Sequence, residues 1–207
     1  MVVADLGDEV TFSPLEVAAF AFTLVNVWLA VKENIWTWPT GIVGVALYTI
    51  VNYRAHLYSN AGLQIVYLLL SIHGWYEWLH GGENKTELHV RRTTRRQWIW
   101  CLFAGSAGTA ALIALLRWTT DAAFPFWDAS TTAFSLVGQW MLNEKMLENW
   151  AIWLVVDIIY VPIYFFGGQR LTAGLYVIFC VLCIRGLIEW KRSVARVSGI
   201  GNRDSGV

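Results

Sequence analysis

Seven apolar blocks run through the sequence, at approximately 14–31, 36–54, 61–79, 98–117, 129–143, 149–166 and 170–189. Each is close to the length an α-helix needs to cross a hydrocarbon layer about 30 Å thick. In lipid the backbone must satisfy its own hydrogen bonds, so a chain of this pattern folds as a helical bundle. Composition agrees: 57% of the 207 residues are hydrophobic and 14% charged, against about 25% charged in soluble domains. The mean hydropathy is +0.48, and the 13 Trp suit membrane interfaces and aromatic pockets. The fifth block, TTAFSLVGQWMLN, is the shortest and most polar.

Charge sets the direction of threading. The 80–97 segment holds Lys85, Arg91, Arg92, Arg95 and Arg96, and the tail holds Lys191, Arg192, Arg196 and Arg203. The N-terminal segment carries Asp5, Asp8 and Glu9, with Glu16 just beyond, and no Lys or Arg. Seven crossings put both basic segments on one side, which the positive-inside rule makes cytoplasmic. The expected placement is a bacterial inner membrane, multi-pass, N-terminus outside and C-terminus in the cytoplasm. Topology signalling accounts for the basic loop without a nucleic-acid partner. The N-terminus lacks the positive n-region of a secretory signal. Cys180-x-x-Cys183, like Cys101, lies among apolar residues and reads as buried hydrophobe before metal or redox pair.

The two ends of the chain resemble each other. Thr23-Leu-Val-x-x-Trp28 matches Ser135-Leu-Val-x-x-Trp140, and Gly74-x-x-Glu77-Trp78 matches Gly186-x-x-Glu189-Trp190, both at an offset of 112. Between them Glu33-Asn34 matches Glu148-Asn149 and Trp38 matches Trp153, at an offset of 115. That alignment sets Ile42 opposite Asp157. The expected organisation is an extracytoplasmic segment 1–13, a three-helix repeat 14–79, a basic loop 80–97, a linker helix 98–117, a second repeat 129–190 and a basic tail 191–207. Four crossings separate corresponding helices, so the repeats run parallel. The fold class is an all-α membrane protein with seven transmembrane helices in a 3+1+3 arrangement, SWEET-like, with binding expected near the midplane between repeats.

One residue breaks the apolar pattern. Asp157 sits mid-block in NWAIWLVVDIIYVPIYF, where a carboxylate costs roughly 2.5–3.5 kcal/mol on insertion scales. Trp150, Trp153, Asp157, Tyr160 and Tyr164 are spaced 3, 4, 3, 4, which puts all five on one helix face. A carboxylate among aromatic faces favours a flat or quaternary cation and accepts hydrogen bonds from hydroxyls. The structural alternative is a pairing of Asp157 with Arg185 or with a neighbouring helix, with Trp150 and Trp153 as interfacial belt residues. The second block repeats the spacing in Trp38, Gly41, Val45, Tyr48 and Asn52. The third does so in Gln64, Tyr67, Ser71, Gly74 and Trp78. Gln64 and Asn52 offer amides to a polar ligand or to a neighbouring helix. Pro39 fits the first turn of its helix, and Pro162 is expected to kink the sixth.

Other classes fit less well. The chain has no nucleotide-binding glycine loop, and no cofactor is expected. A seven-helix receptor or sensor of the retinal type needs a Lys in its last span, and 170–189 has none. His56, His73, His80 and His89 are too dispersed for an enzyme's converging acid and base.

The motifs Trp36-Thr-Trp38-Pro39-x-Gly41-Ile42, Leu63-Gln64-x-x-Tyr67 with Gly74-Trp75-Tyr76-x-Trp78, and Asn149-Trp150-x-x-Trp153-x-x-x-Asp157 resemble those of the PnuC family of vitamin transporters. The resemblance implies uptake of nicotinamide riboside by facilitated diffusion, trapping by intracellular phosphorylation, and a homotrimer in the lipid bilayer. Thiamine and riboflavin branches share the motifs. It assigns substrate contacts to Asn149, Trp150, Trp153 and Asp157, with Gln64 and Tyr67 on the third span. Tyr160, Trp38 and Asn52 join them from the stripes above.

Overall fold

The computed structural model describes residues 14–54, 56, 58–119, 125–168 and 170–204, so the acidic 1–13 segment lies outside the described residues. They form seven helices: α1 (Pro14–Val31), α2 (Thr37–Arg54), α3 (Tyr58–His80), α4 (Arg95–Thr119), α5 (Pro125–Asn143), α6 (Asn149–Phe166) and α7 (Arg170–Asp204), with a 3-10 turn at Glu83–Lys85. Pro14 and Pro125 open α1 and α5, where the missing N–H costs nothing. A capping box opens α4: Thr94 N–H donates to Gln97 Oε1 at 2.9 Å, and Gln97 N–H donates back to Thr94 Oγ1 at 3.3 Å. The fifth helix starts earlier than its apolar block, and α7 runs on through much of the basic tail. The sixth continues through Pro162 to Phe166 and stops at Gly167, whose N–H returns to Ile163 O.

The helices close a ring in which α1 packs on α2, α2 on α3, α3 on α5, α5 on α6, α6 on α7, and α7 on α1. The remaining helix, α4, lies against α5. Among the described residues α1, α4, α6 and α7 contain stretches long and apolar enough to cross a membrane. The helices α2, α3 and α5 are less apolar because they carry Thr37, Gln64, Ser71, Ser135, Gln139 and Asn143, which face neighbours or the ring's interior. Large apolar side chains such as Val25, Leu69, Phe103, Val155 and Ile184 cover the outside.

Two inter-helix loops share one backbone device. Glu33 after α1 and Lys145 after α5 both adopt left-handed φ, 55° and 46°, which turns the chain within a few residues. The α5–α6 loop is then fastened by the 86–94 segment. Arg91 N–H donates to Lys145 O at 3.0 Å, and Leu147 N–H donates to Arg91 O at 2.9 Å. Arg91 pairs with Glu144 at 2.8 Å, and Glu148 accepts from Thr93 N–H at 2.8 Å and Thr93 Oγ1 at 2.7 Å. Leu88 and Val90 are buried beside Trp78 and Trp190. The basic loop is thus a folded strap across one end of the bundle. Burial lowers the Lys145 pKa, with Glu33 and Glu87 opposing the shift, and its ammonium sits 4.3 Å from the Trp78 ring centroid. Replacing Glu148 by Ala is expected to cost about 1.5–3 kcal/mol, the range for hydrogen bonds to a charged group. Thermal unfolding in detergent checks this, with Glu148→Gln expected to lose less.

Candidate functional site

The ring encloses a cavity of about 370 Å³. Trp38 and Trp150 line one end, toward the strap, and Tyr48 and Tyr160 line it ten residues further along α2 and α6, about 15 Å at helical rise. Beneath the first pair lie Trp78 and Trp190, 1% and 0% exposed. The four indoles interlock: Trp38 meets Trp78 edge-on at 5.2 Å, Trp150 meets Trp190 edge-on at 5.5 Å, and Trp78 to Trp190 is 6.1 Å. Trp78 Nε1 donates to Leu142 O at 3.1 Å, and Trp190 Nε1 donates to Ala30 O at 3.1 Å. Each half of the chain therefore closes the floor of the other. A Cβ at Gly74 would run into the Trp38 ring, and one at Gly186 into Trp150, so glycine at both positions lets these indoles approach α3 and α7 closely.

These contacts recur at an offset of 112 throughout. Trp38 has the surroundings of Trp150, Glu33 the backbone of Lys145, and His56 (φ 58°) the backbone of Gly168 (φ 81°). The three-residue shift read from Glu33-Asn34 and Glu148-Asn149 is absent. Trp38 corresponds to Trp150 rather than Trp153, and Val45 rather than Ile42 stands opposite Asp157. The cause is that identical residues in the two loops do not occupy identical backbone positions.

The walls differ where the ends match. On α1 and α2, Asn26 fills the space beside Gly41, where a Cβ would lie 2.6 Å from Asn26 Nδ2; on α5 and α6, Gly138 makes room for Trp153. Asn26 Nδ2 donates to Thr37 O at 2.6 Å and to Thr37 Oγ1 at 3.0 Å, which fixes the amide. Opposite neutral Val45, Asp157 is 5% exposed and its Oδ2 accepts from Cys183 Sγ at 3.4 Å. Among the described residues no Lys, Arg or His lies within ion-pair distance of it. Arg185 is exposed on another face, so the pairing with Arg185 is not made, and the link to a neighbouring helix is the one from Cys183 on α7. Tyr160, Tyr164 and Tyr176 stack beside it, with Tyr160–Tyr176 at 4.8 Å and Tyr164–Tyr176 at 5.1 Å and 7°. Among the described residues the lining has one carboxylate, Asp157, and no Lys, Arg or His.

Trp38, Gln64, Tyr67, Trp150, Trp153, Asp157 and Tyr160 come together on this cavity. Two expected residues do not. Asn149 is 0% exposed and its Nδ2 donates to Met146 O at 2.6 Å, so it ties the start of α6 to its loop. Asn52 donates to Tyr48 O one turn back, at 2.8 Å, and lies off the lining. The cavity also takes Thr23 and Asn26 from α1, Ser135 and Gln139 from α5, and Tyr176, Phe179 and Cys183 from α7. Their signal was present in the spacing: Tyr176, Phe179 and Cys183 follow at 3 and 4 residues, as do Thr23, Asn26 and Ala30. Among the described residues the buried indole N–H groups of Trp38 and Trp150, and the buried Asn149 Oδ1, have no partner, whereas buried polar groups normally have one.

Residues 13–192 match the family described as "Nicotinamide mononucleotide transporter". The chain is 28% identical over 171 residues to the riboflavin/roseoflavin transporter RibM of Streptomyces davaonensis, covering 81% of this chain and 79% of that protein. It is 30% identical over 180 residues to the nicotinamide riboside transporter PnuC of Neisseria mucosa, covering 81% and 68%, and 25% identical over 195 residues to that of Escherichia coli, covering 82% of each. Its structure is similar to a crystal structure of the vitamin B3 transporter PnuC, with a TM-score of 0.70 and 27% identity over 88% of this chain and 82% of that one.

Proposed function

Because the chain belongs to the nicotinamide mononucleotide transporter family, we propose that it carries nicotinamide riboside across the membrane by facilitated diffusion through the ring cavity. The carrying observation is Asp157, a carboxylate with no cation partner among the described residues, facing a cavity walled by Trp153, Tyr160 and Tyr176. Nicotinamide riboside is a flat pyridinium cation bearing a ribose. Its ring suits the aromatic faces and the carboxylate, and its hydroxyls suit Gln64, Asn26 and Gln139. The mononucleotide in the family's description adds a phosphate, for which the lining offers no Lys or Arg among the described residues and to which Asp157 adds repulsion. The nucleoside is therefore the better cargo. Riboflavin is the second reading, favoured by the likeness to a riboflavin transporter; being neutral, it makes less use of Asp157.

The same reading takes the fold as two parallel three-helix repeats joined by α4, in the 3+1+3 SWEET-like order. The reciprocal Trp78–Leu142 and Trp190–Ala30 bonds and the symmetric ring support it. It places the strap and the C-terminus in the cytoplasm, in line with the Lys and Arg distribution. Intracellular phosphorylation then makes uptake one-way, since facilitated diffusion alone only equilibrates. A homotrimer follows from the motif resemblance. Counterflow of labelled nicotinamide riboside in proteoliposomes tests the proposal: exchange is expected with no ion gradient, and strict dependence on a proton or sodium gradient would sink it. Trp153→Ala should weaken binding by roughly 0.5–2 kcal/mol, the range of a cation–π contact, and Trp153→Phe by less, measured by calorimetry.

A further inference from the structure

A second cavity, about 330 Å³, opens between α1 and α7 on the outside of the ring. Lys32, Arg185 and Glu189 supply its polar lining, and Trp28 and Ile188, 49% and 47% exposed, supply an apolar wall. Its carboxylate is already engaged: Glu189 lies 3.5 Å from Lys32 and 4.0 Å from Arg192. Arg185 has no carboxylate within ion-pair distance among the described residues. It stands five residues before Trp190 within the apolar stretch of α7, about 7 Å deeper along the helix. An exposed guanidinium at that depth requires either an anion or a path to the surface.

The equivalent seam between α3 and α5 shows why this one is open. There Asn143 stands where α1 has Val31, and its Nδ2 bridges to Leu70 O at 2.8 Å and approaches His73 Nδ1 at 3.3 Å. His73 occupies the place of Arg185, and Glu144 the place of Lys32, where Arg91 neutralises it. One seam is thus sealed by an amide, and the other is left open, basic and bordered by apolar side chains.

We propose that the α1–α7 cleft binds the phosphodiester headgroup of an anionic phospholipid, with Arg185 and Lys32 on the phosphate and an acyl chain along Trp28 and Ile188. A guanidinium pairs with phosphate in bidentate fashion, and basic pockets between membrane helices suit acidic headgroups. The inference rests on the bilayer reading above but not on the cargo assigned to the ring cavity.

Native mass spectrometry of the detergent-purified chain with phosphatidylglycerol or phosphatidylcholine tests it. Wild type is expected to retain phosphatidylglycerol in preference. Arg185→Gln and Lys32→Gln should each reduce that retention about fivefold, while Arg185→Lys keeps most of it. Equal retention of the two lipids, or of phosphatidylglycerol by wild type and Arg185→Gln, would overturn the site. Glycerol phosphate displacing the lipid at matched concentration would make it a site for soluble anions and overturn the lipid assignment. Calorimetry with nicotinamide riboside on Arg185→Gln, expected to match wild type, keeps the two proposals separable: lipid retention without substrate binding removes only the transport reading.

Discussion

Asp157→Asn protein is expected to bind nicotinamide riboside at least roughly thirtyfold more weakly than wild type. Removing one partner of a desolvated charge pair costs about 2–5 kcal/mol, and each 1.4 kcal/mol is about tenfold in Kd. Asparagine has nearly the same shape and still accepts from Cys183 Sγ, which lies 3.4 Å from Asp157 Oδ2, so the loss reports charge. Stability should move the other way. A lone carboxylate in a membrane helix costs roughly 2.5–3.5 kcal/mol on insertion scales, and among the described residues no protein cation offsets that cost. The Asn variant should therefore unfold at an equal or higher temperature than wild type. A carboxylate kept for structure predicts the reverse, loss of stability with unchanged binding. Riboflavin, if it is the cargo, predicts little change in affinity.

Gly186→Ala has the second large expected effect, at the floor. The added methyl enters the Trp150 ring, and Trp150 is held from below by Trp190, whose N–H is fixed on Ala30 O. The indole can move only into the cavity or the backbone must shift. Overpacking of this kind costs typically about 1–3 kcal/mol, and a displaced Trp150 also removes a wall of the site. Binding and thermal stability should fall together. Gly174→Ala, on the same helix with nothing beyond its own helix backbone within 4 Å of the added Cβ among the described residues, should be neutral or slightly stabilising. If the cause is steric, Trp150→Ala in the Gly186→Ala background recovers stability relative to the sum of the two single changes. Additive losses would mean that the two residues do not press on each other.

Much of this site could be read from spacing alone. The stripes on α2, α3 and α6 put Trp38, Gln64, Tyr67, Trp150, Trp153, Asp157 and Tyr160 on inward faces, because a 3, 4 spacing fixes the face whatever the neighbours are. Spacing cannot say whether an amide serves a ligand or its own backbone. Asn52 and Asn149 have the right chemistry, and both use it locally. Asn26 and Tyr176 share the 3, 4 spacing too, but with mostly apolar residues on their stripes, so spacing alone does not set them apart from packing. The repeat register failed for a related reason. Chemically equivalent letters in the loops misled, while structurally equivalent positions such as Val45 and Asp157, or Glu33 and Lys145, share no chemistry. That divergence gives a near-symmetric ring one wall with a carboxylate and one neutral wall, which suits the proposed cargo with its charged ring and neutral sugar.

The most direct measurement is calorimetric titration of the detergent-purified protein with nicotinamide riboside, thiamine and riboflavin in turn. Saturable binding of nicotinamide riboside at one site per chain, with the other two silent, is the predicted result. Saturable binding of riboflavin with nicotinamide riboside silent would contradict it, leaving the ring and its cavity in place but assigning them a neutral cargo.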